Sequence, residues 1–194
     1  PNPINSSISG NWNGLHSKTI IAVGRIVPQK RFDIVIEAFR KFHKMHKEYT
    51  LDIWGDGPEL SKYREYIKQC NAEDYIHFRG FDNCILDRMK EARLYISCSD
   101  FEGISNTMLE ALAIGVPTIC TDCPIGGASM MIQNGVNGIL IPTNNVEAAS
   151  EALTRLIDDE DLAISISHES IKLRTKYSTE KVGGQWIDVF EGKI

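Results

Sequence analysis

A chain of 194 residues with formal net charge -5, 42% hydrophobic and 24% charged residues has the make-up of an ordinary globular domain with one sizeable core. That balance excludes a disordered or fibrous chain and argues against nucleic acid as a partner. No apolar run nears the roughly 20 residues of a membrane span, and residues 1–17, rich in Pro, Asn, Ser and Gly, lack a signal-peptide core and read as an interdomain linker or peripheral extension.

Residues 19–24 are a short apolar run ending in glycine, which predicts a strand buried on both faces. Phe32, Val35, Ile36, Phe39, Phe42 and Met45 recur at helical spacing, so a helix follows over 32–47. The unit repeats as a strand over 49–55, the turn Asp56-Gly57-Pro58 and a helix over 59–70, with the proline at its start. Next come a strand over 75–80, a short helix over 85–91 and a strand over 92–99. After a loop at 100–105, a helix begins near Asn106 with Leu109, Leu112 and Ala113 on its buried side. Strands at 117–122 and 138–142, with a helix between them over 127–133, lead to helices over 146–158, 161–176 and 179–189. Strands alternating with helices require right-handed crossovers, which predicts an α/β, Rossmann-like, doubly wound domain: a mostly parallel sheet of about six strands with helices on both faces. In such sheets ligands sit at the carboxyl ends of the strands, so the loops after Gly24, Gly55, Gly80 and Ser99 are the ones to search.

The first loop, Gly24-Arg25-Ile26-Val27-Pro28-Gln29-Lys30-Arg31, has one glycine where a dinucleotide fingerprint needs three, and no Gly-Lys-Ser/Thr. Arg25 and Lys30 in its place suit a diphosphate, the one as a planar fork and the other as a point charge, against the plainer reading of surface cations. Arg40, Lys41, Lys44 and Lys47 on the following helix read as a solvated face, with contact to an anionic membrane surface as the alternative. Five cysteines, Cys70, Cys84, Cys98, Cys120 and Cys123, sit mostly in apolar segments like reduced thiols of a cytoplasmic protein. The Cys-x-x-Cys at 120–123 lacks the second pair or histidines of a zinc site, so no metal is expected.

The loop after Ser99 carries Glu102, and Glu110 lies one turn into the next helix, which Ser105 or Asn106 is suited to cap. The first amides of that helix, at Asn106, Thr107 and Met108, would face the crevice and can hold a phosphate. Two carboxylates can also form a glycosidase acid–base pair, and spacing alone does not exclude it. Their placement beside a phosphate-binding helix end favours accepting hydrogen bonds from sugar hydroxyls.

Glu102, seven intervening residues and Glu110, followed by Ala111-Leu112-Ala113-Ile114-Gly115-Val116-Pro117, resemble the Glu-x7-Glu signature of the retaining GT-B glycosyltransferases of group 1. Val23-Gly24-Arg25 with Lys30, Gly55-Asp56-Gly57-Pro58 and Asn134-Gly135-Val136-Asn137-Gly138 resemble further landmarks of that family, in its order, over most of residues 18–176. The resemblance implies one half of a GT-B fold: residues 18–194 as the carboxyl-terminal, donor-binding domain, with Asn2-Pro3-Ile4 like the interdomain link and the amino-terminal acceptor domain absent. It implies that Gly24, Arg25 and Lys30 hold the donor diphosphate and that Glu110 takes the ribose hydroxyls. Glu102 would contact the sugar, lined by Gly103, Ile104 and Ser105, with Asn106 and Thr107 supporting phosphate and Phe81 joining from the loop after the third strand. Glu102, Arg25 and Lys30 are the residues expected to carry catalysis. Two positions depart from the pattern: Arg31 stands where many relatives have glycine, leaving ligand or solvent as its contact, and 124–129 lacks a glutamate common in relatives.

The function implied is transfer of a sugar from a nucleotide-sugar, in the first place a UDP-sugar and otherwise a GDP-sugar, to a glycan or lipid-linked acceptor bound by the absent domain. No cofactor is required, the site is cytoplasmic or at the inner membrane face, and the domain alone is expected to be inactive. The alternatives are an epimerase-like relative of the same architecture and a non-catalytic nucleotide-sugar binding module.

Overall fold

The computed structural model describes residues 3–4 and 8–191; residues 1–2 and 5–7 of the extension, Asn2 of the link among them, and 192–194 lie outside the described residues. Among the described residues six strands, β1 (Thr19–Val23), β2 (Thr50–Trp54), β3 (Ile76–Gly80), β4 (Leu94–Ser97), β5 (Thr118–Thr121) and β6 (Ile139–Ile141), form one sheet in the order β3-β2-β1-β4-β5-β6. Every neighbouring pair is parallel, so each connection must cross a face of the sheet. The connections and the tail of the chain carry helices α1 (Phe32–His43), α2 (Leu60–Gln69), α3 (Ile85–Glu91), α4 (Asn106–Ile114), α5 (Val146–Asp158), α6 (Glu160–Ser170), α7 (Leu173–Lys176) and α8 (Thr179–Phe190). Strand order runs outward in both directions from β1 and β4, which sets the topological switch point between them.

Strand alternation divides the apolar residues between two cores. Ile20 and Ala22 face α1 and α5 with Ile36, Phe39, Leu51, Ile53 and Leu153, whereas Ile21 and Tyr95 face α4 with Leu109, Leu112 and Ala113. Each fully buried Ile or Phe here contributes about 1.5–3 kcal/mol of transfer free energy. The second core also takes Ile4 and Ile8. The Trp12 indole donates to the Ala92 carbonyl at 2.8 Å, and the Ile4 N–H to the Tyr177 carbonyl at 2.8 Å, so the described part of the extension packs on this domain.

Helix ends follow local chemistry. α4 stops where Gly115 takes φ 89 and its N–H returns to the Ala111 carbonyl at 3.1 Å, with Pro117 following. α1 ends at His43, short of the predicted 47, and Met45, the last member of its apolar stripe, is 81% exposed. The predicted helix over 161–176 is two helices, α6 and α7. The predicted helix over 127–133 is a succession of turns. Ile125 (φ 81) and Gly126 (φ 73) are left-handed and set its start, and the bonds from the Met130 N–H to the Gly126 carbonyl at 3.0 Å and from the Ile132 N–H to the Ala128 carbonyl at 2.8 Å stay isolated rather than joining into a helical ladder. The basic face of α1 is partly neutralised: Arg40 pairs with Glu37 at 2.6 Å and Lys41 with Glu147 at 2.8 Å. Among the described residues no helix is long and apolar enough to cross a membrane.

Candidate functional site

The loops leaving β1 and β4 meet at the carboxyl edge, on the switch point. The β1 exit passes so close to the β2 exit that a Cβ on Gly55 would stand 2.0 Å from the Gly24 oxygen, which only glycine permits. The Lys30 stem lies by Gly24, 3.7 Å from where a Cβ would be. Its ammonium pairs with the Glu102 carboxylate, which also accepts from Ser99 Oγ at 3.3 Å. The two side chains are 17% and 24% exposed, sheltered enough to hold a geometry yet open to a ligand.

The two loops are stitched together. Gln29 Nε2 donates to the Phe101 carbonyl at 2.6 Å, and the Asp100 N–H to the Gln29 carbonyl at 3.0 Å. Arg31, held left-handed at φ 47, reaches Asp33 at 2.8 Å, Asp100 at 2.9 Å and the Asn144 side-chain oxygen. The hydrogen bond to Asp33, with Asp100 adding to it, pushes the guanidinium pKa further up. Arg31 therefore braces three loops, and neither ligand nor bulk solvent is its principal contact.

Arg25 is exposed: its carbonyl accepts from the Val27 N–H at 2.9 Å, and its guanidinium has no hydrogen-bond or ionic partner among the described residues. It stands at the rim of a pocket of about 380 Å³ that also contains Gly24, Phe81 and Thr107. Val23, Trp54, Phe81 and Ile85 make its walls apolar, with Asp56 and Asp82 at hand, a size and character suited to a small organic ligand. A larger groove of about 1050 Å³ runs from Arg25 between the β1 loop and α2. Its charges are largely spent on one another, Arg31 on Asp33 and Asp100, Lys62 on Glu59, so the smaller pocket is the better binding site.

At the start of α4, Ser105 is the N-cap: its Oγ accepts from the Met108 N–H at 3.5 Å and bonds Thr107 Oγ1 at 3.0 Å. The Met108 amide is thereby committed to the cap, which corrects the expectation that it faces the crevice. Gly103 is exposed beside Glu102, and Ile104 is half-buried against the second core. Glu110 lies on the same face of α4 as Asn106, in a separate cavity of about 180 Å³ with Pro3, Ile4, Ile8 and Leu109. It has no partner among the described residues, and burial pushes its carboxyl pKa up. The structure thus joins Lys30 to Glu102, and Gly24, Arg25, Phe81 and Thr107 to one pocket, while Glu110 occupies an adjoining hollow. Trp54 and Ile85 were missed from sequence; Trp54 could have been found from its place just before Gly55 at a strand exit.

All five cysteines are free, and burial pushes the Cys120 and Cys123 thiols up. No cluster of three or more His, Cys, Asp or Glu that could hold a metal ion occurs among the described residues.

Residues 12–173 match the family described as "Glycosyl transferases group 1". An exopolysaccharide phosphotransferase of Streptomyces coelicolor is 34% identical over 179 residues, 92% of this chain but 19% of its own length. Among solved structures, a point mutant of Staphylococcus aureus TarM in complex with fondaparinux, alpha-GlcNAc-glycerol and UDP superposes with a TM-score of 0.88 at 25% identity, covering 94% of this chain and 37% of that one. The C-terminal domain of a glycosyl transferase group 1 family protein from Francisella tularensis shares the fold, with a TM-score of 0.78 at 24% identity, and is covered over 96% of its length. This chain therefore spans well under half of the first two proteins and nearly all of the third.

Proposed function

Since the chain belongs to the group 1 glycosyl transferases and corresponds to the C-terminal domain of their GT-B fold, we propose that it is the donor-binding half of a retaining enzyme that moves a sugar from a nucleotide-sugar, a UDP-sugar first, to a glycan or lipid-linked acceptor. The observation that carries this reading is the Lys30–Glu102 pair at the switch point, beside an unpaired Arg25 and an apolar pocket. The base lies in the pocket with Trp54, Phe81 and Ile85. The diphosphate lies at Arg25 and Lys30, where fixed cations stabilise the charge that develops as it leaves and no metal is needed. Glu102 accepts hydrogen bonds from the sugar hydroxyls, and Glu110, half-buried and unpaired, takes those of the ribose. UDP in the TarM crystal supports the choice of nucleotide.

The bond from the anomeric carbon to the diphosphate breaks as the acceptor oxygen bonds to the same carbon. The acceptor approaches on the face the leaving group vacates, its proton passing to the departing phosphate, so configuration is kept. The acceptor is supplied by a domain beyond this chain, so this domain binds donor and transfers nothing alone. Five unpaired cysteines suit a reducing, cytoplasmic setting. With the full-length enzyme in EDTA and an α-linked UDP-sugar, proton NMR is expected to show an α-linked product at an undiminished rate. A β-linked product would overturn retention, and loss of activity restored by Mg²⁺ or Mn²⁺ would overturn metal independence.

A further inference from the structure

The turn over 124–128 is built onto the segment that carries Glu102. Cys123 and Ala128 share with Glu102 and Gly103 the walls of a small cavity of about 20 Å³, and a Cβ on Gly127 would stand 1.9 Å from the Gly103 oxygen. Ile125 is the apex between these two feet. It is 75% exposed and held at φ 81, a conformation that a β-branched residue adopts least readily and glycine adopts freely. Its side chain belongs to neither core, so the fold itself gains nothing from isoleucine there. Strain kept beneath an exposed side chain, in a turn seated on the Glu102–Gly103 segment, points to contact with a ligand.

That contact is apolar. Pro124, Ile125, Gly126, Gly127 and Ala128 carry no polar side-chain atom, and Ser129 Oγ is turned back onto the Gly126 carbonyl at 3.2 Å. A sugar hydroxyl set against the Ile125 side chain would lose water and gain no hydrogen bond from it, whereas an acetyl methyl would gain by burial. Building on Glu102 as the sugar contact proposed above, we propose that Ile125 is a specificity-determining residue that seats the N-acetyl group of the transferred sugar, making the donor an N-acetylhexosamine nucleotide.

The test is calorimetric titration of the full-length enzyme with UDP, UDP-glucose and UDP-N-acetylglucosamine. The wild type is expected to bind UDP-N-acetylglucosamine about fivefold or more tighter than UDP-glucose, and Ile125→Gly to narrow that gap to about twofold or less. UDP affinity should not change, the glycine variant should melt no lower than wild type, and Ile125→Val should keep the preference. A preference that survives Ile125→Gly, a wild type that favours UDP-glucose, or a glycine variant that melts lower would each overturn the proposal. Failure of UDP itself to bind would instead overturn the donor-site reading, and this assignment with it.

Discussion

Lys30→Ala in the full-length enzyme is expected to lower kcat/KM for transfer by about 10²–10³-fold, the range seen when one fixed group that stabilises developing charge is removed. Two losses combine in this one side chain. On the proposed reading the ammonium would no longer meet the departing diphosphate, and Glu102 loses the partner that fixes its carboxylate at the β1 edge. The cost in stability should be small, about 0–1 kcal/mol, because both side chains keep partial access to water. Steady-state kinetics beside a thermal melt separate these quantities. A variant that loses less than about tenfold in kcat/KM would remove Lys30 from the chemistry. Lys30→Arg should recover charge but not geometry, since a planar fork does not fit where a point charge on a flexible stem reaches Glu102.

Gly127→Ala should be nearly as damaging, although residue 127 offers no functional group. Its new methyl would lie 1.9 Å from the Gly103 oxygen and 2.2 Å from the Gly103 carbonyl carbon, both backbone atoms that cannot swing aside like a flexible side chain. Either the turn or the Glu102–Gly103 segment must move by about an ångström, and a displacement of that size costs on the order of 10²-fold in turnover. Overpacking adds about 1–3 kcal/mol of destabilisation. Gly183→Ala in α8 is the control: its Cβ would meet nothing within 4 Å, and helix propensity favours alanine by about 1 kcal/mol. If Gly127→Ala keeps wild-type turnover, the turn does not support the Glu102 loop.

Much of this was legible in the sequence because it rests on periodicity and on strand exits. Runs over 19–24, 49–55 and 92–99 locate three strands, which the structure ends at Val23, Trp54 and Ser97, and the alternation with helices gives the parallel sheet and its carboxyl edge. Lys30 and Glu102 lie far apart in the chain but leave adjacent strands at the switch point, so a topology argument could bring them together. What stayed hidden depends on tertiary contact. Nothing local marks Arg31 as a brace, since Asp100 and Asn144 come from distant loops. The helix expected over 127–133 is instead a run of turns set by the left-handed pair at Ile125 and Gly126 and by the seat of Gly127 on the Gly103 backbone, neither of which a local pattern reveals. Glu110 was placed correctly on α4, but its hollow is closed by Ile4 and Ile8, from a segment that carries no period of its own.

A nucleoside diphosphate is proposed to occupy the pocket and cations at the β1–β4 switch point. Amide-resolved NMR of this chain titrated with UDP tests it most directly. Shifts concentrated at Gly24, Arg25, Phe81 and Thr107 are the predicted result. No shifts, or shifts confined to the groove along α2 at Lys62, Tyr63 and Gln69, would contradict it.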